Sequence, residues 1–202
     1  QSGFIVEPFT IWKQPALANT LKKIRDNGHD GFYKGEVAEE IHNYMQQNGG
    51  LITTKDLEKY TAVERKPIVG TYKDFQIYSM PLPSSGGVAL IEMLNLMEQA
   101  DFDSIKFGSA RHIHLIAEAM RRAFADRAEF LGDPDYNDNM PIERLLSKEF
   151  AAERFQSIKW DSASVSDSGR YGQIYEGNHT THLSVIDKDR NSVSLTYTIE
   201  RS

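Results

Sequence analysis

Apolar residues recur at helical spacing along most of the first 160 positions, and the pattern predicts a mainly helical body. In the first stretch Leu17, Leu21 and Ile24 fall on one face, and Asn27-Gly28 follows as a stop signal. Thr53 or Thr54 is a suitable N-cap for a short helix. The predicted helices span 14–27, 36–47, 55–59, 88–99, 111–130 and 141–158.

The hydrophobic period changes from helix to strand at two places. Two short strands are predicted at 67–69 and 76–78, joined by a loop near 70–74. A Pro-Ser-Ser-Gly-Gly loop at 83–87 precedes the fourth helix, and we expect its serines to cap that helix rather than to act as nucleophiles or to bind phosphate. A stretch rich in Ser, Asp and Gly, residues 161–177, predicts an exposed linker before the terminal strands.

The last segment alternates polar and apolar residues on both sides of a turn, which predicts a hairpin. If residues 188–190 form a three-residue loop, Asp187 faces Asn191 and the pairing of the strands is fixed. The polar pairs are then Thr180–Thr198, His182–Thr196 and Ser184–Ser194, and Ile186–Ser192 follows them. The other face carries the apolar residues Leu183, Val185, Val193, Leu195, Tyr197 and Ile199.

Two explanations fit the threonines at the start of this hairpin. Thr is a good strand former and pairs well with Thr across a sheet. Alternatively, the chain is cut before Thr180, and that residue becomes an N-terminal nucleophile. Spacing alone leaves both explanations open.

Composition excludes several classes of function. The formal net charge of −6 argues against a nucleic-acid partner, because such proteins present clustered positive charge. No apolar run approaches the roughly 18 residues of a membrane span. The chain has no cysteine, which removes disulfides, thiolate metal sites and cysteine nucleophiles.

Two groups of potential metal ligands fail on geometry, and no metal or cofactor is predicted. The acidic stretch 133–139 resembles a calcium loop, but Asp138 stands where that loop needs Gly and Arg144 stands where it needs Glu. His112 and His114 are two residues apart in a predicted helix, so they point about 200° apart. From composition and pattern, the chain is an α+β domain.

Several motifs in the chain resemble the γ-glutamyltranspeptidase family, in order and over nearly the whole length. The segment Thr180 to Glu200 resembles the start of that family's small subunit. Motifs resembling the large subunit are Gly31-Phe-Tyr-Lys-Gly35, Asn48-Gly-Gly-Leu-Ile-Thr53, Val63-Glu-Arg65, Tyr78-Ser-Met-Pro81, Pro83-Ser-Ser-Gly-Gly87, Ala125-Asp-Arg127 and Leu131-Gly-Asp-Pro134. The chain covers well under half of a family precursor. Arg190 stands where the family commonly has a turn glycine.

The resemblance implies an N-terminal-nucleophile hydrolase with layered αββα architecture, of which this chain is a mainly helical part with short strands and a C-terminal hairpin. It implies a helical C-terminal part of the large subunit at 1–160, a linker at 161–179 that ends at the processing site, and the first hairpin of the small subunit at 180–202.

The implied chemistry is self-cleavage between His179 and Thr180, followed by acyl transfer on the new N-terminal Thr180. Thr198 matches the threonine whose hydroxyl contacts the nucleophile. Glu200 matches a donor-binding position, where its carboxylate would hold an α-ammonium group. The substrates implied are γ-glutamyl donors such as glutathione, with amino-acid or peptide acceptors, and the family location is periplasmic or secreted.

The family's donor-gripping arginine and oxyanion donors correspond to positions outside this sequence. We therefore expect a truncated chain that is inactive, keeps the His179–Thr180 bond intact, needs the remainder of its precursor, and can associate with another copy through the exposed hairpin. Two alternatives remain: an acylase of the same superfamily, acting on glutaryl groups or poly-γ-glutamate, and a non-catalytic helical binding module.

Overall fold

The computed structural model describes residues 8–165 and 180–198, and it divides into two compact units that meet in sequence at Glu64 and Arg65. The helices are α1 Pro15–Asn27, α2 Asp30–Tyr33, α3 Gly35–Gln47, α4 Thr54–Lys59, α5 Gly86–Met97, α6 Ala110–Phe130, α7 Ile142–Leu145 and α8 Lys148–Gln156. The strands are β1 Ile68–Tyr72, β2 Phe75–Ser79, β3 Thr180–Ile186 and β4 Ser192–Thr198. Over the described residues, no helix is both long and apolar enough to cross a membrane.

The first unit packs α1 to α4 closely together. At Gly31 a Cβ would lie 2.2 Å from the Lys23 carbonyl oxygen, so the absence of a side chain lets α2 approach the backbone of α1. Thr53 is the N-cap of α4: its Oγ accepts from the Asp56 amide at 3.3 Å, and the Asp56 carboxylate accepts from the Thr53 amide at 2.8 Å. The structure therefore selects Thr53 over Thr54 as the cap.

The second unit surrounds a core between α5, α6 and the end of α8. Its buried members are Leu96, Ile105, Leu115, Ala119 and Ile158. The β1–β2 hairpin packs against α5, where a Cβ on Gly70 would lie 2.6 Å from the side chain of Ile91. The predicted α+β class, mainly helical with short strands, is confirmed.

The β1–β2 hairpin is longer than the sequence predicts. The register runs from Ile68 opposite Ser79 to Tyr72 opposite Phe75, so the turn contains only two residues. The Lys73 amide donates to the Glu98 carboxylate, and the Lys148 ammonium donates to the Thr71 carbonyl at 2.8 Å. These contacts from distant residues hold the turn, which local sequence does not reveal. The predicted loop at 70–74 is therefore wrong.

The single helix predicted at 141–158 is also wrong, because the chain breaks into α7 and α8. Ser147 has extended backbone with ψ 146°, and its Oγ accepts from the Phe150 amide at 3.2 Å as the N-cap of α8. The Leu146 carbonyl, released by the break, accepts from the side-chain amide of Asn95 at 2.8 Å. Asn95 is buried on α5, so the break satisfies a polar group in the core.

In the Pro-Ser-Ser-Gly-Gly loop, the second glycine allows the start of α5 to lie close to the backbone of Met80. A Cβ at Gly87 would lie 2.1 Å from the Met80 carbonyl oxygen, whereas a Cβ at Gly86 would have the Ser84 Oγ at 3.6 Å as its nearest neighbour. Ser85 occupies the N-cap position without capping through its side chain, and the Ser84 Oγ accepts from the Gly86 amide at 3.4 Å. The expected side-chain cap from these serines is thus limited to this one long contact.

We expect Gly87→Ala to destabilise the second unit and Gly86→Ala to leave it intact. The clash at Gly87 is with backbone, which cannot rotate away, and overpacking of this kind costs typically about 1–3 kcal/mol. At Gly86 the added methyl fits, and Ala favours helix over Gly. Urea denaturation of both variants measures the difference. Equal midpoints would show that the loop moves to accept a methyl group at either position.

Charged groups are also buried between α5, α6 and α8. Glu92 and Asp126 are 4% and 5% exposed, and Arg154 donates to the Asp126 carboxylate at 2.7 Å. Burial raises the pKa of Glu92 to about 9, and the hydrogen bond to Asp126 adds to the increase. Glu92 is therefore a neutral hydrogen-bond donor at pH 7, and a single arginine balances the one remaining negative charge.

Candidate active site

The terminal hairpin has the register that the sequence predicts. Thr180 pairs with Thr198, and the pairing continues without a slip to Ile186 opposite Ser192. The turn closes with the Asp187 amide donating to the Asn191 carbonyl at 3.0 Å. The three-residue loop is therefore confirmed, and with it the separation of a polar face from an apolar one.

The turn explains how an arginine replaces glycine at position 190. Arg190 has φ 66°, the left-handed conformation that ends a three-residue hairpin loop. The Asp187 carboxylate compensates by accepting from the amides of Asp189 and Asn191, each at 2.9 Å. Hydrogen bonds from the Asn191 side chain and amide lower the pKa of Asp187, so the carboxylate stays ionised and holds the turn.

The polar face carries an imidazole bound by hydroxyl groups. His182 Nδ1 lies 2.9 Å from Thr196 Oγ1, and His182 Nε2 lies 3.1 Å from both Ser184 Oγ and Ser194 Oγ. The sequence pattern predicts His182 opposite Thr196 and assigns the imidazole no role. Its contacts with the two serines are the chief feature of the site that the pattern does not reveal.

The apolar face of the hairpin is exposed in this chain. Leu183 and Leu195, which pair across the strands, are 45% and 51% exposed. The neighbouring pair Val185 and Val193 is exposed to a similar degree. A hairpin with such a face needs a covering layer for independent stability.

The predicted site residues are described only in part. The backbones of Thr180 and Thr198 lie opposite each other in the last pair of the hairpin that the structure describes. His179 and Glu200, and most of the predicted linker at 161–179, lie outside the described residues. The roles of these four site residues therefore stay predictions.

The rejected metal candidates have structural partners. The Asp133 carboxylate accepts from the Asp135 amide at 3.0 Å, and Asp135 pairs with Arg65 at 2.6 Å. His112 Nδ1 accepts from the Gly108 amide at 3.2 Å, and His114 Nε2 lies 2.8 Å from the Lys159 carbonyl oxygen. Within residues 8–165 and 180–198, no group of three or more His, Asp and Glu side chains could hold a metal ion.

Comparison with known proteins gives a consistent assignment. The model of the gamma-glutamyltranspeptidase family matches residues 1–202. The chain is 48% identical over 188 residues to the glutathione hydrolase proenzyme of Escherichia coli (strain K12), covering 92% of this chain and 32% of that protein. It is 41% identical over 197 residues to the acylase ACY 1 proenzyme of Pseudomonas sp. (strain SE83), covering 98% of this chain and 35% of that protein.

Among solved structures, the fold resembles the crystal structure of Helicobacter pylori gamma-glutamyltranspeptidase. The TM-score is 0.72 at 42% identity, and the match covers 84% of this chain and 49% of that chain. The helical body and hairpin thus form part of an N-terminal-nucleophile hydrolase fold. The chain belongs to the γ-glutamyltranspeptidase family, and it spans about a third of the length of the relatives that it matches.

Proposed function

We propose that the full-length protein cleaves itself between His179 and Thr180 and then transfers or hydrolyses γ-glutamyl groups through Thr180. The observation that carries this proposal is the register of the terminal hairpin, in which Thr180 pairs with Thr198. Family membership supports the same two residues, because they match the nucleophile and its partner threonine in the family motif. The register of the hairpin and the family motif therefore point to the same two threonines.

The groups that react in the cleavage step are the hydroxyl of Thr180, the peptide bond before it and a water molecule. The Oγ attacks the carbonyl carbon of His179, the peptide C–N bond breaks, and the proton passes to the departing amine. Water then hydrolyses the resulting ester, which leaves a carboxylate on His179 and a free α-amine on Thr180. An α-amine has a pKa of about 7.7–8.0, so part of it is neutral near pH 7 and can accept the hydroxyl proton.

The transfer reaction follows as two acyl-transfer steps. Thr180 takes the γ-glutamyl group from glutathione or a related donor, and the donor's amine leaves. Water or the amine of an amino acid or peptide then accepts the group and restores the hydroxyl. Thr198 supports the nucleophile by a hydroxyl contact, and the Glu200 carboxylate binds the α-ammonium of the donor.

The proposed organisation follows the processing site. Residues 1–160 form the helical C-terminal part of the large subunit, 161–179 form the linker, and 180–202 form the first hairpin of the small subunit. The remainder of the precursor covers the apolar face of the hairpin, and in its absence a second copy of the chain can do so. A periplasmic or secreted location is proposed from the family.

A second candidate is an acylase of the same superfamily. The 41% identity to the acylase ACY 1 proenzyme favours it as the alternative. Glu200 separates the two candidates on charge, because a γ-glutamyl donor carries an α-ammonium and a glutaryl group does not. A chain end of poly-γ-glutamate also carries an ammonium, so Glu200 is compatible with that substrate. A helical binding module is the least supported alternative.

A matched pair of anilides tests the substrate class. We expect the full-length protein to split γ-glutamyl anilide at least about 100-fold faster than glutaryl anilide, since only the first carries an ammonium that can form a charge-assisted hydrogen bond with Glu200. Glu200→Gln should reduce this preference by weakening γ-glutamyl turnover alone. Faster glutaryl turnover would favour the acylase. Inactivity on both anilides, with the His179–Thr180 bond uncut, would favour the binding module.

The polypeptide of residues 1–202 alone should remain in one piece and show no turnover. Intact-mass measurement tests the first expectation directly. Two fragments whose masses correspond to a cut between His179 and Thr180 would contradict it.

A further inference from the structure

His182 connects the two strands of the terminal hairpin through its side chain. Its ring contacts Thr196 in the pair next along the polar face from Thr180–Thr198, and both serines in the pair after that. A single imidazole therefore spans two successive polar pairs. The backbone ladder does not require such a link, since the strands are already paired from Thr180 to Ile186.

The chemistry of the ring suits it to this position. A neutral imidazole donates from one nitrogen and accepts at the other, while a hydroxyl can do either. The contacts at 2.9 Å to Thr196 Oγ1 and at 3.1 Å to Ser184 Oγ and Ser194 Oγ are therefore compatible with both tautomers. The Ser184 and Ser194 hydroxyls are also 3.4 Å apart, which completes the group.

The position of this link matters because Thr180 and Thr198 form the described pair furthest from the turn. The turn at residues 187–191 holds the opposite end, and pairing furthest from a turn opens most easily. Self-cleavage would also make Thr180 a free chain end, which removes its covalent restraint on one side. A link in the next polar pair would then limit how far the two threonines can separate.

We propose that His182 is a positioning residue for the Thr180 nucleophile, acting through its bond to Thr196 to hold β3 and β4 together beside Thr198. This inference rests on the proposed function, in which Thr180 and Thr198 cooperate. It assigns His182 no contact with substrate. The expected consequence is a loss of kcat with little change in KM, because the nucleophile loses alignment while the donor-binding groups remain.

The test uses the full-length processed enzyme with kcat measured per active site. Titration by the burst of first product counts the functional Thr180 residues, so loss of folded or cleaved protein does not lower the value. We expect His182→Ala to lower kcat about 10- to 100-fold, with KM changed less than about 3-fold. Thr196→Val keeps the branched side chain of a strand residue and removes only the hydroxyl, and we expect about a 3- to 10-fold loss.

The double variant and a matched control complete the experiment. If the two side chains act as one link, His182→Ala with Thr196→Val should lose no more than His182→Ala alone. Ser192 lies on the same polar face of β4, nearer the turn, and the Ser192→Ala variant should retain wild-type kcat. The positioning role would be overturned if the loss of kcat in the double variant equalled the product of the two single losses. It would also be overturned if both single variants kept wild-type kcat per active site. Cleavage and turnover in a Thr180→Ala protein would instead contradict the proposed function.

Discussion

Thr180→Ala in the full-length protein is expected to abolish both cleavage before residue 180 and γ-glutamyl turnover. In the proposed function both reactions use the same oxygen atom, first on the His179 carbonyl and then on the donor. Alanine removes that atom while preserving the backbone that pairs with Thr198. Loss of a catalytic nucleophile lowers kcat by about 10⁶-fold in a well-studied protease, so we expect turnover below detection.

Two further substitutions distinguish loss of the nucleophilic hydroxyl from a general effect of changing this end of the strand. Thr181→Ala changes the adjacent threonine, which pairs with Tyr197 on the opposite face of the hairpin, and should leave cleavage and kcat close to wild type. Thr180→Ser keeps the hydroxyl and should retain both reactions at a reduced rate. Intact-mass measurement follows cleavage, and release of anilide follows turnover.

The result that would contradict this prediction is specific. A Thr180→Ala precursor that is still cut at the same bond would require a different nucleophile or an external protease. Loss of both reactions in Thr181→Ala, with Thr180→Ala unaffected, would exchange the roles of the two threonines. Either outcome would remove the basis for the proposed function.

The terminal hairpin was predictable because its evidence is local. A period of two separates its faces, and the three-residue loop that ends at Arg190 fixes which residues pair. The role proposed for Thr180 does not follow from such local evidence. Thr180 and Thr181 are the same residue type, and spacing shows only that they lie on opposite faces. The family motif is what distinguishes them.

The wrong predictions elsewhere in the fold, the loop at 70–74 and the single helix at 141–158, have a common cause: contacts between residues far apart in sequence. Lys148 and Glu98 hold the turn after β1. Asn95 donates to the Leu146 carbonyl, which is released where α7 ends. The partners in these contacts are far apart in sequence. Helical periodicity also assigns Glu118 no special role, because a charged residue normally marks the solvent face. In the structure Glu118 is 1% exposed. We therefore expect a large loss of stability when its arginine partner Arg122 is removed.

Arg122→Ala should destabilise the second unit by up to about 3–5 kcal/mol at pH 7, because it removes the buried cation of the Glu118 carboxylate. Of the cations that the structure describes, only the more exposed Arg121, whose Nε lies 3.3 Å from Glu118 Oε1, then remains beside that carboxylate. Arg122 Nη1 donates to Glu118 Oε2 at 2.5 Å, and these side chains are 8% and 1% exposed. Arg122 Nη2 also donates to Ser157 Oγ at 2.9 Å and to Ser164 Oγ at 3.3 Å. The cluster therefore ties α6 to the segment that follows α8.

The pH dependence identifies the cause of the loss. Burial raises the pKa of Glu118, but hydrogen bonds from Ser164 and Arg122 outweigh it and hold the pKa at about 2, below its ordinary 4.5. The group therefore stabilises the folded protein above pH 4.5, and that contribution is lost as the pH falls toward 2. In Arg122→Ala the pKa of Glu118 should rise. The difference from wild type should then shrink on acidification, because a protonated Glu118 no longer needs the cation.

Urea denaturation at pH 7 and in mild acid measures this difference, with two comparison proteins. Arg65→Ala breaks the pair with Asp135, whose side chains are 25% and 55% exposed, and should have a much smaller effect because solvent screens the charges. Glu118→Gln combined with Arg122→Met removes both charges and should recover most of the stability that Arg122→Ala loses. If Arg122→Ala matched Arg65→Ala at pH 7, or its deficit grew in acid, packing of the arginine side chain would be the dominant contribution instead of its charge.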